Sequence, residues 1–290
     1  MSMPIFIHIP KTAGSTLRTL ITENYQPDEV LSLYGDPKDI LATTALNIGQ
    51  MQGVRLVQGH TPYGTHRFLG VRHPRYFTFL REPIARFLSD VAHAVRDDSH
   101  GYHQVLAEPK LSSSERISKA LDITYYRNNM THYVSGAFTT ETISMMQLGV
   151  AIDNLWGSEF VGLSEHFEIS LLIMAKKLGW RHVVPQLSNV RPDAGDTISP
   201  ELRARLAKAL AYDAMLYAVA QEHFAQSRAQ YGSILEEAAV QLSELVRVQS
   251  IEHPVTRHSY YLVGDPIRVP LEQYRSQIVA GSPLYRWLND

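Results

Sequence analysis

Two stretches of this chain carry cations, hydroxyls and small residues at spacings that suit an anionic ligand. The first is PIFIHIPKTAGSTLRTLI (4–21), an apolar run followed by Pro-Lys, a small-residue turn, Ser15 and Thr16, and a helical pattern. A strand-turn-helix aims unsatisfied backbone N–H groups, and a helix-dipole end of about half a positive charge, at whatever fills the turn. Phosphate or sulfate fits such a place. Gly14 offers close backbone approach, Lys11 a mobile full charge, and Ser15 and Thr16 hydroxyl donors. The order is P-K-T-A-G-S-T, so this is not a Walker A loop, whose lysine follows its second glycine. The bland alternative is an ordinary turn whose Ser15 or Thr16 only caps the helix.

The second stretch is RYFTFLREPIARFLSDV (75–91). Arg81 ends an apolar run, Pro83 suits the first turn of a helix, and Arg86 and Ser89 follow. Carboxyl ends of strands in parallel sheets are where ligands bind. An arginine fork beside a hydroxyl suits a terminal phosphate. Arg81 and Arg86 are equally suited to ion pairs with Glu82 or Asp90. A nucleoside kinase would want an aspartate at such a strand end to hold magnesium; here a cation stands in its place.

A hydroxyl acceptor would need a base, and the chain has 13 histidines. His60 follows Gly59 directly after an apolar run, VRLVQG (54–59), which places it at the ligand-binding edge of a sheet. His66 is the second candidate. His8 lies within the first run and reads as a satisfied core residue. His132 and Glu165 are further candidates, though Glu165 reads first as a solvated loop carboxylate. The His100/His103 spacing does not make a metal site, and no metal dependence is expected.

The elements that must position these groups alternate between strand and helix patterns. Strands are expected at 4–9, 54–59, 75–81, 159–165 and 182–187. Helices are expected at 15–24, 83–96, 112–133, 168–178 and 200–227. That alternation argues for an α/β fold, a parallel sheet covered on both faces. Residues 25–53 and 97–111 read as long loops of the kind that shape substrate sites. An amphipathic helix is expected at 233–249, before an irregular Pro-, Gly- and aromatic-rich tail. The expected organisation is one domain over 1–232 and an extension over 233–290 that packs on the core or on a partner.

Composition narrows the classes. The 290 residues are 44% hydrophobic and 19% charged, with a formal net charge of −2, so no global field draws the chain to nucleic acid or anionic lipid. There is no cysteine, which excludes disulfides and thiol chemistry. No window reaches the ~18 apolar residues of a membrane span, and no signal-peptide pattern opens the chain. A soluble, cytoplasmic protein is expected.

Together the motifs resemble the sulfotransferases that use 3′-phosphoadenosine 5′-phosphosulfate (PAPS), and in particular the branch of the uronyl and heparan 2-O-sulfotransferases with their bacterial relatives. HIPKTAGST (8–16) resembles that branch's 5′-phosphosulfate loop, and FLREPIARFLSD (79–90) its 3′-phosphate element. VQGHTPYG (57–64) resembles its Gly-His element; FVGLSEHFEISL (160–171) and the pair Asp213 and Tyr217 resemble later landmarks. The resemblance spans residues 4–224 and implies a P-loop-like fold. It implies that Lys11, Thr12, Ala13, Gly14, Ser15 and Thr16 hold the 5′-phosphosulfate, that Arg81 and Ser89 hold the 3′-phosphate, and that His60 is the base. Asn189 and Arg191, in QLSNVRPDAG (186–195), are candidates for the adenine site by position. A saccharide is the favoured acceptor, with a hydroxylated lipid or secondary metabolite as others; the acceptor and the oligomeric state are not legible. The alternatives are a metal-dependent small-molecule kinase with an atypical phosphate loop and a non-catalytic nucleotide-binding or partner-docking module.

Overall fold

The computed structural model describes residues 2–35, 51–137, 142–185, 198–252 and 275–289. They form an α/β structure around a five-stranded parallel sheet. The strands are β1 (Met3–Ile7), β2 (Val30–Leu33), β3 (Leu56–Gly59), β4 (Pro74–Leu80) and β5 (Phe160–Leu163), in spatial order β2-β3-β1-β4-β5. Ile7 pairs with Gly59 on one side and Thr78 on the other, so the carboxyl ends of β1, β3 and β4 stand together. From β1 the chain leaves towards β2 on one side; from β3 it crosses to β4 on the other. Connections that diverge in this way open a crevice at the strand ends.

The described residues group into two compact units that interleave along the chain. The first comprises 2–12, the described parts of 28–165, and 198–224. It holds all five strands and the helices α2 (Pro83–Arg96), α3 (His103–Leu106), α4 (Ser113–Asp122), α5 (Asn129–Ser135), α6 (Met145–Trp156) and α8 (Pro200–Ala209). The second comprises 13–27, 166–185, 225–252 and 275–289. It holds α1 (Gly14–Asn24), α7 (Phe167–Leu178), α10 (Ser233–Glu252) and α11 (Pro283–Asn289). The helix α9 (Ala211–Ala229) runs from one unit into the other.

In the first unit the strands read as continuous apolar runs because they are covered: Ile5, Phe6, Ile7, Val57, Phe77 and Phe79 are buried. Gly162 in β5 leaves room for the Phe79 ring, since a Cβ there would stand 2.7 Å from it. A separate apolar core joins α2, α3, α4 and α8 through Phe87, Val91, Leu106, Leu121 and Leu206. The start of α2 is fixed locally: the Glu82 carboxylate accepts from the Ile84 and Ala85 N–H groups at 3.1 and 2.6 Å, with Pro83 in the first turn.

In the second unit α7 buries Leu171, Leu172 and Met174, and α10 buries Leu235, Ala238 and Leu242. Helix α11 closes on them. Its Trp287 indole N–H donates to Leu172 O at 3.1 Å, and Lys176 Nζ donates to Trp287 O at 3.0 Å. The end of the expected extension is thus tied to residues of α7.

Four sequence expectations are corrected. The expected loop 25–53 contains β2, an edge strand of four residues. No strand forms over 182–185: the Asn24 side chain takes up the Arg181 and His182 N–H groups and donates to His182 O at 2.8 Å, while Pro185 has no N–H for a ladder. The expected helix over 200–227 is two helices. Asn128, left-handed at φ 49°, inserts at the break, donating to Ala209 O and accepting from the Tyr212 and Asp213 N–H groups. The expected 112–133 helix is divided into α4, a tight turn at Thr124–Tyr126, and α5. Helix α6, to which the sequence reading assigned no element, starts with a capping box between Ser144 and Gln147. Among the described residues no helix is long and apolar enough to cross a membrane.

Candidate functional site

The loop after β1 holds two non-glycine residues in the left-handed region, Lys11 at φ 69° and Ala13 at φ 68°. Each costs about 1–2 kcal/mol and persists only where neighbours hold it. Two bonds do so. Thr12 is buried and its hydroxyl donates to Ile9 O at 2.8 Å. Arg81, just past β4, donates from Nη1 to Lys11 O at 3.3 Å. The ends of β1 and β4 are thereby tied by one of the two arginines the sequence singled out. Thr12 keeps its backbone N–H as a donor, its hydroxyl proton being engaged. Gly14 is helical rather than left-handed, and opens α1 with Ser15 exposed. Ala13 caps α1 without a side-chain hydrogen bond, and no acidic residue stands in the first turn.

Burial pushes the Lys11 ammonium below its ordinary pKa; Asp90 and Asp97 oppose the shift, Arg96 and Arg81 add to it. Three of these four, Asp90, Arg96 and Asp97, belong to α2 or its end, so Lys11 lies in the field of that helix. Ser89, His93 and Arg96 follow one another at helical spacing on one stripe of α2. His93 is depressed to about 4, by burial first and then by the Lys11 charge. Its Nε2 lies 3.4 Å from Asp97. Ser99 donates to Asp97 from both N and Oγ, and these bonds outweigh burial and hold the carboxyl below its usual range. An anion bound here would favour the charged form of Lys11.

Arg86 does other work. It is fully buried, paired with Asp90 at 3.2 Å, and donates from Nη2 to Tyr126 O at 3.2 Å. It locks α2 to the turn before α5, the ion-pair reading the sequence left open.

Glu165 is exposed, yet both its oxygens are bonded. Oε1 accepts from the Glu82 N–H at 2.8 Å and Oε2 from the Tyr217 hydroxyl at 2.8 Å. Tyr217 and Glu165 thus hold the residue that follows Arg81. Asp213, one helical turn earlier, is buried and accepts from Met130 N, Thr131 N and Thr131 Oγ1. The Asp213/Tyr217 pair is structural support for two different places, which spacing alone did not reveal.

On the other flank of β1 stand His8, Tyr34 and His60, just past β1, β2 and β3. Gly59 allows this: a Cβ there would lie 2.0 Å from Leu33 O, and His60 N donates to that same oxygen at 3.0 Å. The His60 ring meets the His8 ring at 4.7 Å and the Tyr34 ring at 5.0 Å, both edge to face. His8 is buried, as expected of a core residue, but it is part of this cluster. His66 is turned elsewhere: its Nδ1 is 2.7 Å from the Tyr76 hydroxyl, whose pKa burial raises to about 12. Tyr76 Oη also accepts from the Gly64 and His66 N–H groups, so its own proton goes to His66. His132 is buried in α5 with 1% exposure. His103 bonds Ala94 O at 2.8 Å.

Among the described residues no group of three or more His, Asp or Glu is arranged to hold a metal ion. Asn189 and Arg191 lie outside the described residues. No protein-family model matches the chain, and no curated protein matches it in sequence.

Proposed function

We propose that this chain transfers the sulfuryl group of PAPS to a hydroxyl, with a saccharide as the favoured acceptor. The observation that carries the reading is the tie between Arg81 and Lys11 across the ends of β1 and β4. It links Lys11 of the first motif to Arg81 of the second, and Lys11 lies in the field of the helix that carries Ser89.

In this reading Arg81 and Ser89 take the 3′-phosphate, each charge-assisted bond contributing about 1.5–3 kcal/mol. Residues 11–16 take the 5′-phosphosulfate. The acceptor oxygen attacks sulfur in line, forming an O–S bond as the bond from sulfur to the phosphate oxygen breaks. The electron pair leaves on that phosphate oxygen, where Lys11 offsets the growing charge. The acceptor's proton passes to His60. The lowered Lys11 pKa favours this role, because a ligand anion would oppose the burial and the Arg96 and Arg81 charges that cause it.

The test is turnover with labelled donor across a panel of hydroxylated acceptors, with wild type and His60→Ala. Wild type should label an acceptor, and His60→Ala should lose ~10²–10⁴-fold in kcat while binding adenosine 3′,5′-bisphosphate as before. A variant that turns over like wild type removes His60 from the chemistry. A chain that needs magnesium and transfers phosphate from ATP instead is the kinase alternative.

A further inference from the structure

Five rings meet where α2 ends. His93, in the last turn of α2, stands edge to face with His100 at 5.6 Å. The Tyr126 ring lies near-parallel to His100 at 6.4 Å, and Tyr102 and Tyr125 stand 6.0 and 6.3 Å from it. Tyr102 and Tyr125 are themselves 5.4 Å apart. Tyr126 is buried and seats the group on the apolar core of Phe87 and Leu106; the other four rings stay partly exposed.

Such a surface is apolar on its ring faces and polar at its edges. The edges are ordered. The Tyr102 N–H donates to His100 Nδ1 at 3.2 Å, so the proton of the neutral ring sits on Nε2, 3.9 Å from the buried Asp90 Oδ1. Among the described residues Tyr102 and Tyr125 make their hydrogen bonds through the backbone, which leaves two phenol hydroxyls to meet a ligand. The group is also uncharged at neutral pH. Burial lowers both imidazoles, with the Lys11 charge adding and Asp90 and Asp97 opposing, and Asp90 is paired with Arg86. Ring faces, hydroxyl edges and neutrality together suit a polyol with a flat C–H face, a few polar groups fixing it on an aromatic floor.

We propose that the cluster of His100, Tyr102 and Tyr125 is the acceptor subsite, and that the acceptor is an uncharged saccharide. The inference rests on the sulfuryl-transfer reading. Lys11, which that reading sets against the departing phosphate oxygen, acts on both imidazoles of the cluster, so a sugar on these rings lies in the field of the same ammonium.

Saturation-transfer NMR with irradiation of the aromatic protons reads the contact, with cellobiose as the probe, in the presence and absence of adenosine 3′,5′-bisphosphate. Wild type should pass saturation to the sugar C–H protons. Tyr102→Leu keeps the apolar bulk but removes the ring, and should weaken cellobiose ~10-fold. Tyr102→Phe restores the ring and should recover most of that loss. Tyr125→Phe removes only a hydroxyl and should cost about 2- to 10-fold. All three variants should bind the bisphosphate as wild type does. If no saturation reaches cellobiose, or Tyr102→Leu binds it like wild type, the rings only cover the core and the proposal is overturned. If Tyr102→Leu loses bisphosphate affinity instead, the cluster is an adenine slot, which overturns it equally. Turnover with labelled PAPS separates the two ideas. A chain that holds cellobiose on these rings but labels no hydroxyl refutes the sulfuryl-transfer reading and the acceptor role with it, leaving a saccharide-binding site. A chain that labels an acceptor whose KM is unchanged in Tyr102→Leu refutes the subsite alone.

Discussion

The two flanks of β1 differ in kind. Towards β4 the strand ends and α2 carry charges: Lys11, Arg81 and Arg96 set against Asp90 and Asp97. Towards β3 they carry three rings in contact, His8, Tyr34 and His60, with a hydrogen bond between His8 and Tyr34. A charged flank suits binding and stabilising an anion; a flank of imidazole and phenol groups suits moving a proton. One strand, β1, separates them.

The comparison breaks first at its charged side. Asp90→Ala leaves Arg86 buried without its carboxylate, and should cost about 3–5 kcal/mol in denaturant unfolding. A loss below ~1 kcal/mol would mean that water reaches Arg86. Arg81→Ala should weaken adenosine 3′,5′-bisphosphate by about 1.5–3 kcal/mol, roughly 10- to 150-fold by calorimetry, with a smaller loss for adenosine 5′-monophosphate through the Lys11 turn that Arg81 braces. Equal losses for the two ligands would move the 3′-phosphate away from Arg81.

The next test sharpens it by pH. His93 titrates near 4 in the fold against an ordinary value near 6.5. Between these values the unfolded chain binds a proton that the folded chain refuses, so stability falls as pH drops through this window. The ring keeps 22% side-chain exposure, and with that screening the loss is about 1–2 kcal/mol. His93→Gln should flatten the slope of unfolding free energy between pH 6.5 and 4. The smallest effect is expected at Tyr217→Phe, which removes one bond to Glu165. About 0.5–1.5 kcal/mol of stability should go, with a slight loss of bisphosphate affinity through the Arg81 turn.

The sequence announced most of the frame through patterns that tertiary contacts did not override. Continuous apolar runs gave β1, β3, β4 and β5, and Pro83 with the helical pattern that follows it gave α2. The failures have local causes. β2 is too short and too exposed to show a pattern. The 182–185 segment looks like a strand by composition, but its backbone is bonded by Asn24, far away in sequence. The break at Leu210 is imposed by Asn128, and no residue within the helical pattern signals it. Helix α6 went unread, although Ser144 and Gln147 stand at capping-box spacing. In the site, Lys11, Arg81 and His60 were readable from their places at run ends. The roles of Tyr34 and Glu165 were not, because each depends on a partner 24 or more positions distant.

The most direct measurement is calorimetric titration of the wild-type chain with adenosine 3′,5′-bisphosphate and with adenosine 5′-monophosphate, without metal. If one crevice grips both ends of the nucleotide, the bisphosphate binds at least ~10-fold tighter, the contribution of one or more charge-assisted bonds. Equal affinities, or no binding of either, would contradict the account.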